Sequence, residues 1–150
     1  MADLVELTVG GLLEEVTMKF GSREAVVYPE LGIRLTYQEF DELTNEAAKA
    51  FMALGIEKGD HLAVWTTNQP EWLTAQFATG KMGAVLVTVN TSYRARELEY
   101  LLRQSDSSTF ILQESFKDNS YIETLYEIVP ELKDSKPGEL KSERFPHLRN

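Results

Sequence analysis

The stretch HLAVWTTNQPEWLTAQFATGKMGAVLVTV (61–89) decides the fold, because it contains two short apolar runs with a helical segment between them. The runs 61–66 and 84–89 are nearly continuously apolar rather than alternating, which is typical of strands buried on both faces of a parallel sheet. Between the runs, Pro70 suits a first helical turn and Gly83 supplies a left-handed stop. This order predicts a parallel βαβ unit with a right-handed crossover.

A third apolar run, 109–113, extends the alternation towards the C-terminus. The segment before it has helical periodicity from Ser92 or Tyr93, and the segment after it begins a helix at Ser120, with Glu123 at the capping-box distance. Repeated βα units predict an α/β fold: a doubly wound, mostly parallel sheet with flanking helices, as in a flavodoxin-like lobe.

The segment before residue 61 predicts a small N-terminal hairpin between two helices. The first helix is expected over about 8–20. Two short runs, 26–28 and 34–37, flank a turn-rich link and are typical of a hairpin. The second helix is expected to begin at Thr36, because Glu39 follows at the spacing of a capping box.

Composition excludes several classes of function. The 150 residues include 15 Lys+Arg, 24 Asp+Glu and no cysteine, which gives a formal net charge of −9. The acidic balance argues against a nucleic-acid-binding protein, since such proteins concentrate Lys and Arg in a patch. Without cysteine there is no thiol nucleophile, disulfide scaffold or thiolate zinc site. Because His61 and His147 have no ligand pattern near them, no metal-binding residue is predicted.

The chain is predicted to be cytoplasmic and to lack a membrane span. No stretch approaches the roughly 18 apolar residues that are needed to cross a bilayer. The first residues, MADLVELTVGG (1–11), lack the basic region, apolar run and small-residue cleavage site of a signal peptide.

Polar residues follow each apolar run, at the sheet edge where parallel α/β proteins bind ligands. They are Thr66, Thr67 and Asn68, then Asn90, Thr91, Ser92 and Tyr93, and finally Glu114 and Ser115. They can supply hydroxyl and amide hydrogen bonds to a ligand. The alternative, which the residues alone favour, is that Asn68 and Ser92 only satisfy the N–H groups of turns and helix starts. Arg94 lies in the first turn of the following helix, where an anionic ligand group can reach it. No P-loop, dinucleotide-binding or nucleophilic-serine motif is present.

Residues 131–150 differ in composition from the preceding residues. They are rich in charge, Pro and Gly, and they have no apolar period before Phe145. We therefore expect residues 131–150 to form an exposed linker after a lobe that spans 1–130.

Five segments occur in an order and at a spacing that are jointly specific. They are LTYQEF (35–40), LGIEKGD (54–60), NQPEW (68–72), GKMGAVLVTVN (80–90) and RARELEYLL (94–102). Together they resemble the acyl-adenylate-forming, AMP-binding ligases: acyl-CoA synthetases, luciferases and peptide-synthetase adenylation domains. The last segment resembles the branch that acts on fatty acids.

This resemblance implies that ATP activates a carboxylic acid to an acyl-adenylate, with magnesium as the companion ion, and that the acyl group then passes to coenzyme A. It implies a medium- or long-chain fatty acid, with aryl acids and amino acids as alternatives. By the same resemblance, Asn90, Thr91, Ser92 and Arg94 are expected to form one wall of the coenzyme A entrance.

The sequence departs from the family at the catalytic motifs. The Ser/Thr/Gly-rich loop ending in Pro-Lys-Gly, the ribose-binding aspartate, the hinge and the C-terminal lysine are absent. We therefore expect the N-terminal part of a ligase, with no catalytic residue, no tight cofactor binding and no activity alone. Its partner would be the remainder of the ligase chain, to which 131–150 would lead. The apolar surface meant for that partner predicts self-association.

Two other classes of protein remain open. One is a stand-alone flavodoxin-like module that binds a small ligand or a partner at the strand ends. The other is a truncated gene product that is retained for protein contacts.

Overall fold

The computed structural model describes residues 6–150, so residues 1–5, part of the segment inspected for a targeting signal, lie outside the described residues. Helices and strands alternate along the described chain. The helices are α1 (Val9–Phe20), α2 (Tyr37–Ala53), α3 (Pro70–Met82), α4 (Ala95–Gln104) and α5 (Tyr121–Ile128). The strands are β1 (Glu24–Tyr28), β2 (Ile33–Thr36), β3 (His61–Trp65), β4 (Val85–Thr88), β5 (Thr109–Leu112), β6 (Ser115–Phe116) and β7 (Asn119–Ser120).

Strand β3 is the centre of a parallel sheet whose strand order is β4-β3-β5. Ala63 pairs with Val87 of β4 on one side and with Phe110 of β5 on the other. Helices α3 and α4 make the two crossovers that parallel neighbours require. The predicted α/β class is confirmed, and the order of the three strands is that of the first three strands of flavodoxin-like sheets.

The side chains of β3 alternate between two helical layers. Leu62 and Val64 pack with apolar residues of α2 and α3, whereas Ala63 and Trp65 pack with those of α4 and α5. All four side chains are buried. Because both faces of β3 are covered, its sequence is continuously apolar, and the predicted doubly wound arrangement is confirmed.

The predicted capping box at the start of α2 is confirmed. The Thr36 hydroxyl accepts a bond of 3.2 Å from the Glu39 amide, and the Glu39 carboxylate accepts one of 2.8 Å from the Thr36 amide. These bonds, led by the one from the Thr36 backbone, lower the pKa of Glu39. Helix α4 begins at Ala95, later than expected, and the Glu97 carboxylate accepts the Arg94 amide proton at 3.1 Å.

The N-terminal hairpin is also confirmed. Strands β1 and β2 are antiparallel, with Val27 opposite Arg34 and Tyr28 opposite Ile33. Gly32 at the turn has a φ of 66°, which favours glycine. A second hairpin, β6–β7, is not predicted by the sequence analysis; it pairs Ser115 with Ser120 and is too short to show a strand pattern.

The expectation that residues 131–150 are exposed holds for most of their side chains but is wrong for three apolar ones. Leu140, Phe145 and Leu148 are buried in the same cluster as Trp65. The Phe110 amide donates to the Asn150 carbonyl at 3.0 Å, so the end of the chain lies along β5. The three apolar side chains are too few and too unevenly spaced, five and then three residues apart, to form a helical or strand period, so periodicity does not detect them.

A buried ion pair joins α2 to α3. The Lys81 side chain is 7% exposed, and its Nζ donates to the Asp41 carboxylate at 2.6 Å and to the Asn45 side-chain oxygen at 2.7 Å. Helix α1 crosses α3 at the same point, where a Cβ on Gly10 would lie 2.9 Å from the Lys81 Cα. The three helices of the N-terminal half therefore meet at Lys81.

None of the helices in the described part of the chain is both long enough and apolar enough to cross a membrane.

We predict that Lys81→Met lowers the free energy of unfolding by about 3 kcal/mol, because methionine keeps the apolar stem but leaves the Asp41 carboxylate without its cation. Lys49→Met, on the exposed surface of α2, is the matched control and should change stability little. Urea denaturation followed by circular dichroism measures both. Equal effects of the two substitutions would show that the buried pair does not hold α2 against α3.

Candidate functional site

The predicted site residues lie together in the loop that joins β4 to α4, at the carboxyl edge of the sheet. Asn90 and Ser92 are exposed, Thr91 is half-buried, and Arg94 directly precedes the first residue of α4. Trp65, the last residue of β3, lies beside this loop. We refer to residues 90–94 as the strand-end loop.

Three side chains from other elements donate hydrogen bonds to backbone carbonyls of the strand-end loop. The Trp65 indole N–H donates to the Asn90 carbonyl at 2.9 Å. The Tyr121 hydroxyl donates to the Thr91 carbonyl at 2.8 Å, and the Asn119 amide donates to the Tyr93 carbonyl at 2.8 Å. All three donor residues are buried, so the carbonyls of the loop are directed towards the protein.

Trp65 and Tyr121 are stacked on each other in the core below the loop. Their rings are 3.6 Å apart between centroids and 7° from parallel, and Phe110 stacks more loosely on Trp65 at 6.2 Å. Burial raises the pKa of Tyr121, because the phenolate is poorly solvated there. Its hydroxyl therefore stays protonated and able to donate to the loop.

Within the loop, Asn90 forms a turn. Its side-chain oxygen accepts a bond of 2.9 Å from the Ser92 amide, and its carbonyl accepts one of 3.0 Å from the Tyr93 amide. The structure thus gives Asn90 the turn role that the sequence predicted for Asn68 and Ser92. Across the described residues, the structure records no hydrogen bond from the hydroxyls of Thr91 and Ser92.

Arg94 forms an ion pair with Asp118 at the turn between β6 and β7. The guanidinium donates to the carboxylate at 2.9 Å, and this hydrogen bond lowers the pKa of Asp118. The two side chains are 54% and 82% exposed. Ion pairs this exposed are weak, because water and salt screen them. The carboxylate of Asp118 therefore holds the Arg94 guanidinium only weakly.

The other predicted strand-end residues lie apart from the strand-end loop. The Gln113 side-chain oxygen accepts bonds from both the amide and the hydroxyl of Thr67, at 2.7 and 3.0 Å, and so joins the ends of β3 and β5. Thr67 and Asn68 line an open groove against the N-terminal hairpin. The Glu114 carbonyl accepts the Tyr121 amide at 3.0 Å, so its backbone has a structural role.

An open groove of about 560 Å³ begins at Tyr93 and runs along the solvent side of α4. Its walls include Tyr100, Leu101 and Arg96. The groove is contiguous with the strand-end loop but separate from the Arg94–Asp118 pair.

Four residues around the loop were missed by sequence reasoning: Trp65, Asp118, Asn119 and Tyr121. Trp65 ends an apolar run and was interpreted only as core. Asp118 and Asn119 belong to a hairpin that has no sequence signal, and Tyr121 follows a helix cap like any first-turn residue. Their roles depend on contacts between residues distant in sequence, which a local pattern does not contain.

In residues 6–150, no group of three or more His, Cys, Asp or Glu side chains is arranged so that it could hold a metal ion. The His61 Nδ1 contacts the Ser105 carbonyl, and His147 lies 3.7 Å from the Asp106 carboxylate.

The comparisons with known proteins all indicate the same family. The model of the AMP-binding enzyme family matches residues 13–146. The chain is 52% identical over 149 residues to YngI of Bacillus subtilis (strain 168), which is named provisionally as an acyl-CoA synthetase; the match covers 99% of this chain and 27% of that protein. It is 39% identical over 145 residues to the mitochondrial medium-chain acyl-CoA ligase ACSF2 of Rattus norvegicus, covering 97% of this chain and 24% of the relative.

A solved structure of an enzyme with a related name is also similar to this chain. The fatty acyl CoA synthetase of Mycobacterium tuberculosis is similar with a TM-score of 0.69 and 32% identity, over 70% of this chain and 21% of that one. The chain spans about a quarter of the length of the curated relatives it matches. Since the family model matches most of its residues, the chain belongs to the AMP-binding enzyme family.

Proposed function

We propose that this chain is the N-terminal part of an ATP-dependent fatty-acid:CoA ligase. The match to the AMP-binding enzyme family over residues 13–146 carries the proposal. The fatty-acid branch is supported by the names of two similar proteins, a medium-chain acyl-CoA ligase and a fatty acyl CoA synthetase. The carboxylic acid would become an acyl-adenylate and then an acyl-CoA. The chain covers about a quarter of the length of these relatives, which supports the proposal that its partner is the remainder of the ligase chain.

ATP and magnesium do not fit the residues of this chain. The sequence has no Gly-rich phosphate loop, and residues 6–150 contain no acidic cluster suited to a metal ion. We therefore assign no step of acid activation to these residues. In the proposal, 1–130 form most of the first lobe, 131–150 add side chains to its core and lead to the ATP loop, and the remainder of the ligase binds the nucleotide.

Coenzyme A fits the strand-end loop better. When bound, coenzyme A supplies the thiol that receives the acyl group. Arg94 presents an exposed guanidinium, whose planar donors match the oxygens of a phosphate group. Thr91 and Ser92 add hydroxyls beside it. In the proposal, Asn90 shapes the turn, Arg94 exchanges Asp118 for a coenzyme A phosphate, and none of the four residues is catalytic.

A stand-alone small-ligand module is the second candidate. The exposed polar side chains of Asn90, Ser92 and Arg94 favour it, because they lie at the carboxyl edge of a parallel sheet, where small ligands bind in α/β proteins. The cellular location does not distinguish the ligase from the stand-alone module. We retain a cytoplasmic location as part of the proposal, although the rat relative is named mitochondrial.

The complete ligase is expected to convert a medium- or long-chain fatty acid, ATP–magnesium and coenzyme A to acyl-CoA and AMP, whereas residues 1–150 alone should produce neither. Liquid chromatography of the products measures both, with omission of each substrate as the control. A complete protein that forms no acyl-CoA with fatty, aryl or amino acids would refute the ligase proposal. Micromolar binding of ATP–magnesium to residues 1–150 in isothermal titration would favour the stand-alone module.

Arg94→Ala combined with Asn90→Ala should raise the KM for coenzyme A about tenfold in the complete ligase, since a charge-assisted hydrogen bond to phosphate is lost. Adenylate formation, measured as pyrophosphate exchange, should not change. The matched control is Arg103→Ala, which removes a different exposed arginine, one that lies on α4 and away from the strand-end loop. An unchanged KM for coenzyme A in the double variant would remove the strand-end loop from the coenzyme A entrance.

We expect the isolated chain to self-associate at high concentration. Large apolar side chains are exposed in its N-terminal half, with Met18 and Met52 80% and 61% exposed and Leu31 and Leu54 also at the surface. Sedimentation velocity over a hundredfold concentration range tests this. Met18→Gln with Met52→Gln should reduce association, while a wild-type chain that stays monomeric at every concentration would disprove it.

A further inference from the structure

We propose that Trp65, Asn119 and Tyr121 are positioning residues that hold the backbone of the strand-end loop in the conformation that receives coenzyme A. The inference rests on the proposed function for the identity of the ligand. The residues come from β3, β7 and α5, and their donors meet the carbonyls of Asn90, Tyr93 and Thr91 respectively.

The three hydrogen bonds define the loop more strictly than its own turn does. The turn at Asn90 orders only 90–93 by bonds within the loop. The buried donors bond the loop at residues 90, 91 and 93 to three other elements, β3, α5 and β7. With the carbonyls directed inwards, the chain leaves the side chains of Asn90, Ser92 and Arg94 on the exposed side. A loop that is already ordered loses less conformational entropy when a ligand binds.

Each donor is itself held in place. Trp65 and Tyr121 are fixed by their mutual stacking, with 3.6 Å between ring centroids. Asn119 is buried, and its side-chain oxygen lies 3.3 Å from the Thr124 hydroxyl, which donates its proton mainly to the Ser120 carbonyl at 2.8 Å; the Asn119 amide nitrogen faces the Tyr93 carbonyl. Support of this kind is expected where a binding site depends on loop geometry.

The Tyr121 hydroxyl offers the cleanest test among the three donors. Tyr121→Phe removes only the group that donates to Thr91 and retains the ring that stacks on Trp65. Tyr126→Phe is the matched control, because Tyr126 lies on the same helix, is 38% exposed, and has a hydroxyl for which no hydrogen bond is recorded within residues 6–150.

Amide hydrogen exchange of the complete ligase, read by mass spectrometry on peptides that cover 89–97, measures the order of the loop. Loss of one hydrogen bond should raise exchange of the strand-end loop about fivefold in Tyr121→Phe and leave Tyr126→Phe at the wild-type rate. In the same variant, the KM for coenzyme A should rise about fivefold, while kcat and pyrophosphate exchange stay unchanged.

Two results would overturn the inference. Unchanged exchange over 89–97 in Tyr121→Phe would mean that the hydroxyl does not hold the loop. Equal losses in pyrophosphate exchange and in kcat, with no change in the KM for coenzyme A, would mean that Tyr121 is a general structural residue. Failure of the wild-type ligase to make any acyl-CoA would instead refute the proposed function, and the exchange rates would still decide whether these side chains hold the loop.

Discussion

The rest of the structure depends on the burial of the Trp65 side chain at the end of the central strand. Its ring stacks on Tyr121 and, more loosely, on Phe110, and its only polar atom has to find a partner, because an unpaired buried N–H is costly. That partner is the carbonyl of Asn90. A single side chain therefore connects the packing of the core to the position of the strand-end loop.

The N-terminal half is organised around a different constraint, the charge of Lys81 below the surface. A buried ammonium requires an anion and further acceptors, and Asp41 and Asn45 supply them from one helix. The pair fixes the register of α2 against α3, and α3 is the crossover that brings β4 beside β3. The placement of the strand-end loop after β4 thus depends on two buried side chains, Lys81 in one helical layer and Trp65 in the other.

Local sequence patterns predicted the elements of the fold well. The runs around Val64, Leu86 and Phe110 became β3, β4 and β5, and the capping box at Thr36 marks the start of α2, because these signals lie within a few adjacent residues. The family was likewise indicated by short segments in order. The packed tail was predicted wrongly, since Leu140, Phe145 and Leu148 are apolar residues without a period whose partners lie far away in sequence.

The candidate site was predicted only in part, for the same reason. Asn90, Thr91, Ser92 and Arg94 are consecutive or nearly so and follow a strand, so their position at the sheet edge follows from topology. The residues that hold them are separated from them in sequence: Tyr121 is 30 positions from Thr91, and Asn119 is 26 positions from Tyr93. A single sequence contains no local signal for such a pair.

In the proposed function, the Arg94–Asp118 pair determines what kind of ligand the strand-end loop can accept. Because both side chains are largely exposed, the carboxylate holds the guanidinium weakly and exchanges with other anions. A phosphate group offers more oxygens and more charge than one carboxylate, so it competes well for the planar donors of arginine. A neutral ligand gains nothing by displacing Asp118 and leaves that carboxylate without its cation. In the proposal, the pair therefore favours phosphate-bearing ligands over neutral ones, and the buried donors below hold the loop that would receive them.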